Sequence, residues 1–512
     1  MKPLLLTGED LTLPAFYEVV LDGRSVKLAP KAETRMAAAC EVIRRVTAGS
    51  KPVYGVTTGF GKLADQRISA SDIKQLQLNL VRSHAAGVGD PLSHEETRGI
   101  LLLRANVLAR GHSGVRPLIA EYLLTLLNRD VLPVIPSRGS VGASGDLAPL
   151  AHLALLLIGE GEAVVGERRQ SGRAALAKAG LKPLHLEAKE GLSLVNGTQA
   201  MLALGLLALR RCRLLVDAAD VAGALSLEAL KGTPVAFDPR IHRLRPYLGQ
   251  VAVAANLRAL LAGSEIRASH VDCPRVQDAY SLRCMPQVHG AVRDALDYVR
   301  STLSVEMNSV TDNPIVFPDR DEVLSGGNFH GQPLGLVLDH LAIAITELAS
   351  IAERRIERLI NPEYGDLPPF LTPQPGLNSG FMLAQVTAAA LASENKVLSH
   401  PASVDSIPTS GNQEDHVSMG MGSALKLKQI LSNAEHVLAI ELLCAAQGVD
   451  FHRPLQAGVG SRQALRLIRQ QVPRLEQDRP LAPDIERVRA MVASGALTGV
   501  LSTSRHAQRN ES

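Results

Sequence analysis

The chain has 512 residues, 46% hydrophobic and 21% charged, a balance that excludes intrinsic disorder. Lys and Arg total 54 against 51 Asp and Glu, a formal charge of +3, so the basic excess of a nucleic-acid binder is absent. Aromatics are scarce (eight Phe, seven Tyr, no Trp) and the chain leans on Leu and Ala, which points to an all-α fold.

The first thirty residues carry weak strand signals. Their leucines are broken by Glu9 and Asp10, too early for a secretory leader, so a cytoplasmic protein is expected. Helical patterns fit 97–110 and 118–129, and strand signals fit 131–135 and 163–170. A long helix is expected from Asn196 to Gly232 and another from Met285 past Val305. From Leu334 the apolar positions Leu338, Leu341, Ile345, Leu348, Ala352, Ile356 and Leu359 follow in steps of three and four. They describe one buried face of a helix about 40 Å long, stopped by Pro362. A further helix fits 383–400, ended by Pro401.

The longest unbroken apolar runs fall short of the roughly 20 residues that cross a bilayer, so no membrane partner is expected. No repeat period or Pro/Ser-rich linker divides the chain. The expected organisation is a smaller mixed region over 1–110, then an elongated long-helix bundle over 111–512 that pairs with copies of itself. Five scattered cysteines, Cys40, Cys212, Cys273, Cys284 and Cys444, form no CxxC pair, which suggests a reducing compartment and no zinc site.

Several connecting segments are unusually rich in Gly, Asn, Ser and the few aromatics. They lie around Tyr54–Gly61, Ser83–Gly87, Gly139–Asp146, Val195–Thr198, Gln277–Arg283, Ser325–Gly331 and Gly411–His416. Such loops carry function more often than regular elements do. The stretch ending Gly61-Lys62 fails as a phosphate loop, because Val56 stands where its first Gly is needed and Leu63 where Ser or Thr should bind magnesium. Gly142-Ala-Ser-Gly-Asp146 fails as a nucleophile elbow at its last position. No HExxH or other metal-ligand spacing occurs.

Ala143-Ser144-Gly145 admits a different chemistry. Attack of the Gly145 nitrogen on the Ala143 carbonyl, with loss of water, closes a five-membered ring. Loss of the Ser144 hydroxyl as a second water leaves an exocyclic methylidene, giving 4-methylidene-imidazol-5-one. Gly supplies an unhindered nitrogen, Ser a leaving group and Ala little bulk, while Gly139 and Gly142 permit a tight backbone approach.

Gly139-Ser-Val-Gly-Ala-Ser-Gly-Asp-Leu-Ala-Pro-Leu-Ala-His152 resembles the signature of the aromatic amino-acid ammonia-lyases, and the other loops match family loops in the same order. The resemblance covers nearly the whole chain. It implies an all-α fold like that of fumarase and aspartase, a self-made methylidene-imidazolone with no metal or diffusible cofactor, and a homotetramer whose active sites draw on three chains. Within the family, Ser83-His84-Ala-Ala-Gly87 and Thr409–Met419 are most similar to the histidine ammonia-lyases, which convert L-histidine to trans-urocanate and ammonia. A carboxylate at Glu414 suits an imidazole, which offers N–H groups. Gly411 departs from the Ala expected there.

Carried over by the resemblance, Ala143, Ser144 and Gly145 form the electrophile and Tyr54 removes the β-proton, with its pKa lowered by its surroundings; Glu414 is the rival base. Arg283 holds the substrate carboxylate, and Tyr280 and Asn196 hydrogen-bond ring and substrate with Gln277 in support. Phe329 packs beside the ring, and His84 and Glu414 hold the imidazole. His289, His330, His340, His400 and His416 are read as structural. The competing readings are a phenylalanine or tyrosine ammonia-lyase, an aminomutase, and a scaffold without catalysis.

Overall fold

The computed structural model describes residues 2–271 and 276–511, with side chains up to Ser504; Cys273 lies outside the described residues. The all-α expectation holds, with 61% of the chain helical and only short strands between the helices. The strand signals near 131 and 163–170 form one three-stranded antiparallel sheet of β1 (Val131–Pro133), β2 (Glu162–Val165) and β3 (Arg168–Ser171). The first thirty residues give a parallel pair, Leu4–Leu6 with Val26–Leu28, around the helix Leu13–Val20.

The helices that matter below are α1 (Ile73–His84), α2 (His94–Ala109), α3 (Leu147–Leu157) and α4 (Gln199–Ala229). They continue with α5 (Met285–Glu306), α6 (Gln332–Ile360), α7 (Met382–Leu398) and α8 (Gly420–Asp450). Helix α4 starts later than its apolar pattern suggests. Asn196-Gly197-Thr198 turn instead, with Gly197 at φ +147°. Helix α8 escapes the periodicity argument because nearly its last four turns, residues 437–450, are buried on every side and show no face to solvent. Helix α6 is long and apolar enough to cross a membrane by length and composition, yet 61% of its apolar window is buried inside the molecule.

The chain divides into two compact units, each assembled from three stretches, so the division does not fall at residue 110 or at any other single cut. Unit 1 comprises Met1–Leu207, Arg300–Asp339 and Pro401–Leu425; unit 2 comprises Ala208–Val299, His340–His400 and Lys426–Ser512.

In unit 1, α2 is buried along its whole length from Glu96 to Ala109. It starts with a capping box in which Ser93 Oγ accepts from the Glu96 amide at 3.2 Å and Glu96 accepts from the Ser93 amide at 2.7 Å. Its buried arginines tie loops to the core: Arg98 donates to the Val19 and Val20 carbonyls and Arg104 to that of Asn196. In unit 2 a buried polar network crosses the helix packing. Arg355 pairs bidentately with Glu441 (2.5 and 2.9 Å), and Asp220 accepts from His289, Asn256 and Arg293.

Candidate active site

The Gly139–Asp146 loop owes its shape to partners far along the chain. Gly142 (φ +71°) and Gly145 (φ +74°) are in the left-handed region. A Cβ on Gly145 would lie 2.0 Å from the Gly197 carbonyl oxygen, so only glycine fits. Backbone bonds join Asp146 N to Gly197 O (2.6 Å), Gly197 N to Ser144 O (3.3 Å) and Met419 N to Val141 O (2.9 Å). The Asp146 carboxylate accepts from the amides of Ala200 and Met201, the first turn of α4, at 2.9 Å each. Burial nonetheless pushes its pKa up to about 7, against those hydrogen bonds.

Ala143 and Ser144 open onto a cavity of about 530 Å³ within unit 1. Tyr54, His84, Asn196, Phe329 and Glu414 line the same cavity. Ser144 Oγ donates to Glu414 Oε1 at 3.3 Å, and the other Glu414 oxygen accepts from Thr409 Oγ1 at 2.8 Å. Glu414 is carried by a tight turn in which Ser410, Gly411 and Asn412 all have positive φ, and at +59° glycine is the residue that fits position 411 without strain. His84 ends helix α1, with Ser83 Oγ 3.1 Å from its Nδ1. Burial lowers the His84 pKa, against the Leu80 carbonyl and Glu414, and so favours the neutral imidazole.

Tyr54 departs from expectation. Its hydroxyl accepts from the Gly61 amide at 3.3 Å, which favours phenolate. Burial outweighs that bond and Glu414 adds to it, so the pKa is raised instead of lowered.

Gln277, Tyr280 and Arg283 belong to unit 2 and are not among the residues that line this cavity. Tyr280 and Arg283 share one helical turn, Tyr280–Arg283, with the guanidinium 4.5 Å from the Tyr280 ring centre. Tyr280 is 71% exposed. Gln277 lines a separate space of about 370 Å³ with Asp278, Arg358 and Tyr364.

Two histidines read as structural belong to the cavity wall. His330 and His416 stack with ring centres 5.8 Å apart and planes 5° from parallel. His330 accepts from the Gln332 amide through Nδ1, and its Nε2 lies 3.2 Å from the His416 carbonyl, which orients the ring. Both sit in Gly-rich loops already singled out, and that was the available signal. His289 does have a structural setting, buried beside Asp220. Among the described residues no group of three or more His, Cys, Asp or Glu could hold a metal ion.

Residues 11–470 match the family model of the aromatic amino acid lyases. The chain is 57% identical to a histidine ammonia-lyase of Koribacter versatilis over 97% of its own length and 99% of that protein's. Its structure resembles that of histidine ammonia-lyase from Trypanosoma cruzi with a TM-score of 0.91 and 45% identity, covering 98% of this chain and 95% of that one. A tyrosine aminomutase from Streptomyces globisporus is as similar in structure (TM-score 0.92; 98% and 99% covered) at the lower identity of 39%. Closely similar backbones thus carry proteins named for different amino acids. The chain belongs to the aromatic amino acid lyase family.

Proposed function

We propose that this lyase eliminates ammonia from L-histidine to give trans-urocanate, the first step of histidine degradation, in the cytoplasm. The observation that carries the reading is Glu414, a carboxylate hydrogen-bonded to Ser144 in the wall that it shares with His84. An imidazole donates N–H to such a carboxylate, whereas a phenyl ring gives it nothing to accept. The relatives at 57% and 45% identity support this, since both are named for histidine.

The tripeptide fits the self-made group: Gly145 sits where no Cβ can, Ser144 has an acceptor beside its hydroxyl, and Ala143 adds little bulk. The 4-methylidene-imidazol-5-one closed from Ala143-Ser144-Gly145 supplies an electrophile that turns the α-amine into a leaving group. The chain's other residues orient the substrate and move its proton. His84 and Glu414 hold the imidazole, Phe329 packs beside the tripeptide, and Asn196 hydrogen-bonds from the cavity floor. The β-proton goes to Tyr54 or to Glu414. Burial keeps Tyr54 a phenol in the single chain, which gives weight to the carboxylate. Tyr54→Phe decides: a loss of roughly 10²–10⁴ in kcat assigns the proton to Tyr54, and near-full turnover assigns it to Glu414.

Arg283 binds the substrate carboxylate, with Tyr280 and Gln277 in support, reaching the cavity from neighbouring copies in a homotetramer. Their absence from the cavity lining of one chain, together with the exposure of Tyr280, supports shared sites. The test of the whole reading is purified protein with L-histidine, followed by near-ultraviolet absorbance and an ammonia assay. Matching rises, with little response to phenylalanine or tyrosine, are expected; turnover of either of those instead overturns the substrate.

A further inference from the structure

Asn196 is 3% exposed yet lines the cavity. Its Nδ2 group has two hydrogens and two acceptors, Asp312 Oδ1 and the Asn313 carbonyl, both at 3.2 Å. The reverse amide orientation would aim an oxygen at a carboxylate and a carbonyl with no proton between them, so the chemistry fixes which end is nitrogen. The amide oxygen accepts from none of the described residues and is not sealed in the interior; it opens to the cavity.

Behind this amide stands a charged pair with no access to solvent. Asp312 Oδ2 accepts from Lys189 Nζ at 3.0 Å, and both side chains are 0% exposed. Lys189 also donates to Ser193 Oγ at 2.9 Å, and Ser193 passes on to the Ser113 carbonyl at 3.1 Å. The lysine has φ +67°, a conformation that a long side chain rarely adopts. The backbone of Asn196 is pinned independently, its carbonyl accepting from Arg104 Nη1 at 2.8 Å. A buried ion pair is a weak source of stability. This one, strained at Lys189, ends on a single side chain that faces the cavity.

We propose that Lys189 and Asp312 are positioning residues that hold the Asn196 amide with its oxygen toward the cavity, and that this oxygen accepts a hydrogen bond from the substrate α-amino group. The inference rests on the lyase reading and deepens it. An amine offers N–H donors and a carboxylate offers only acceptors. An oxygen at this point therefore selects the nitrogen end of the amino acid and rejects the other.

The test compares L-histidine with imidazole-propanoate, which keeps the ring and carboxylate but lacks the amine. Asn196→Ala is expected to lower kcat/KM for L-histidine roughly 10–100-fold, the worth of a hydrogen bond to a charged or polarised group, while the inhibition constant of imidazole-propanoate moves less than about threefold. Asp312→Asn should cause a similar loss alone and almost none in the Asn196→Ala background, because the two act through one contact. Should Asp312→Asn fail to fold with Lys189 left unpaired, the Lys189→Met, Asp312→Asn double variant takes its place in the cycle. Equal weakening of both ligands by Asn196→Ala, or independent losses in the cycle, overturns the inference. A wild-type protein that releases no ammonia from L-histidine overturns the lyase reading instead.

Discussion

Two aspartates, each fully buried, mark the difference between the two units. In unit 2, burial pulls the Asp220 carboxyl up, but Arg293 and His289 more than reverse it and hold it at about 2. In unit 1, burial carries Asp146 up to about 7 against its bonds from backbone amides and a serine, and the Glu306 carboxylate adds to the rise. One carboxylate is paired with the Arg293 guanidinium and the other is held by neutral dipoles. The contrast extends outward. Around Asp220 the charged side chains pair with one another inside the packing, whereas Glu414, Ser144 and Asn196 line a cavity. A network closed within the packing specifies that packing; polar groups that line a cavity are available for chemistry.

Ser144→Ala tests the contrast most severely. It should lower ammonia release from L-histidine by at least about 10³-fold, as removal of a covalent catalytic group does, without moving the thermal midpoint. The wild-type peptide containing 143–145 should be lighter than its sequence by two waters, and the variant peptide should not. Ser144→Ala and Arg283→Ala chains, unfolded and refolded together, should recover part of the activity that neither parent has, if each site draws on more than one chain. Recovery no greater than the parents' sum would confine the site to one chain.

The reverse behaviour is expected in unit 2. Arg355→Met leaves Glu441 buried without its partner and should cost about 3–5 kcal/mol, read as a shift in the denaturation midpoint.

The aspartates themselves differ in sign. A carboxyl raised in the folded state gives stability that is complete below its unfolded pKa and lost as pH climbs through about 7. A depressed one gives stability that is present above its unfolded pKa and lost as pH falls through about 2. Asp146→Asn should therefore flatten the stability profile between about pH 4 and 7. The smallest effect belongs to neither network: Ser93→Ala, which removes the cap of α2, should cost about 1 kcal/mol.

Much of the cavity was legible in the sequence because its walls are loops, and loops that must turn tightly next to a reacting group leave Gly, Asn and Ser behind. Ala143, Ser144, Tyr54, His84, Asn196, Phe329 and Glu414 meet there for that reason. Helices with one wet face, such as α6, were legible through their period. The 437–450 end of α8 was not, because burial on all sides erases the period. Lys189 and Asp312 gave no sign at all. A lysine in a polar stretch reads as solvated, and only the fold reveals that it points inward to an aspartate more than a hundred residues away. His330 and His416 were visible as loop residues but not as a stacked pair, since stacking depends on two loops arriving together.

The bonds from Gly197 to Ser144 and from Asp146 to Gly197, Ala200 and Met201 also impose an order in time. While the chain is being synthesised, Ala143-Ser144-Gly145 emerges well before the residues that bend it, and Glu414 and Met419 emerge far later still. A tripeptide whose shape is borrowed from such distant partners cannot assume it before they have been made. Any covalent change that needs this shape follows the folding of unit 1, so it is a stamp carried by chains in which that unit has formed.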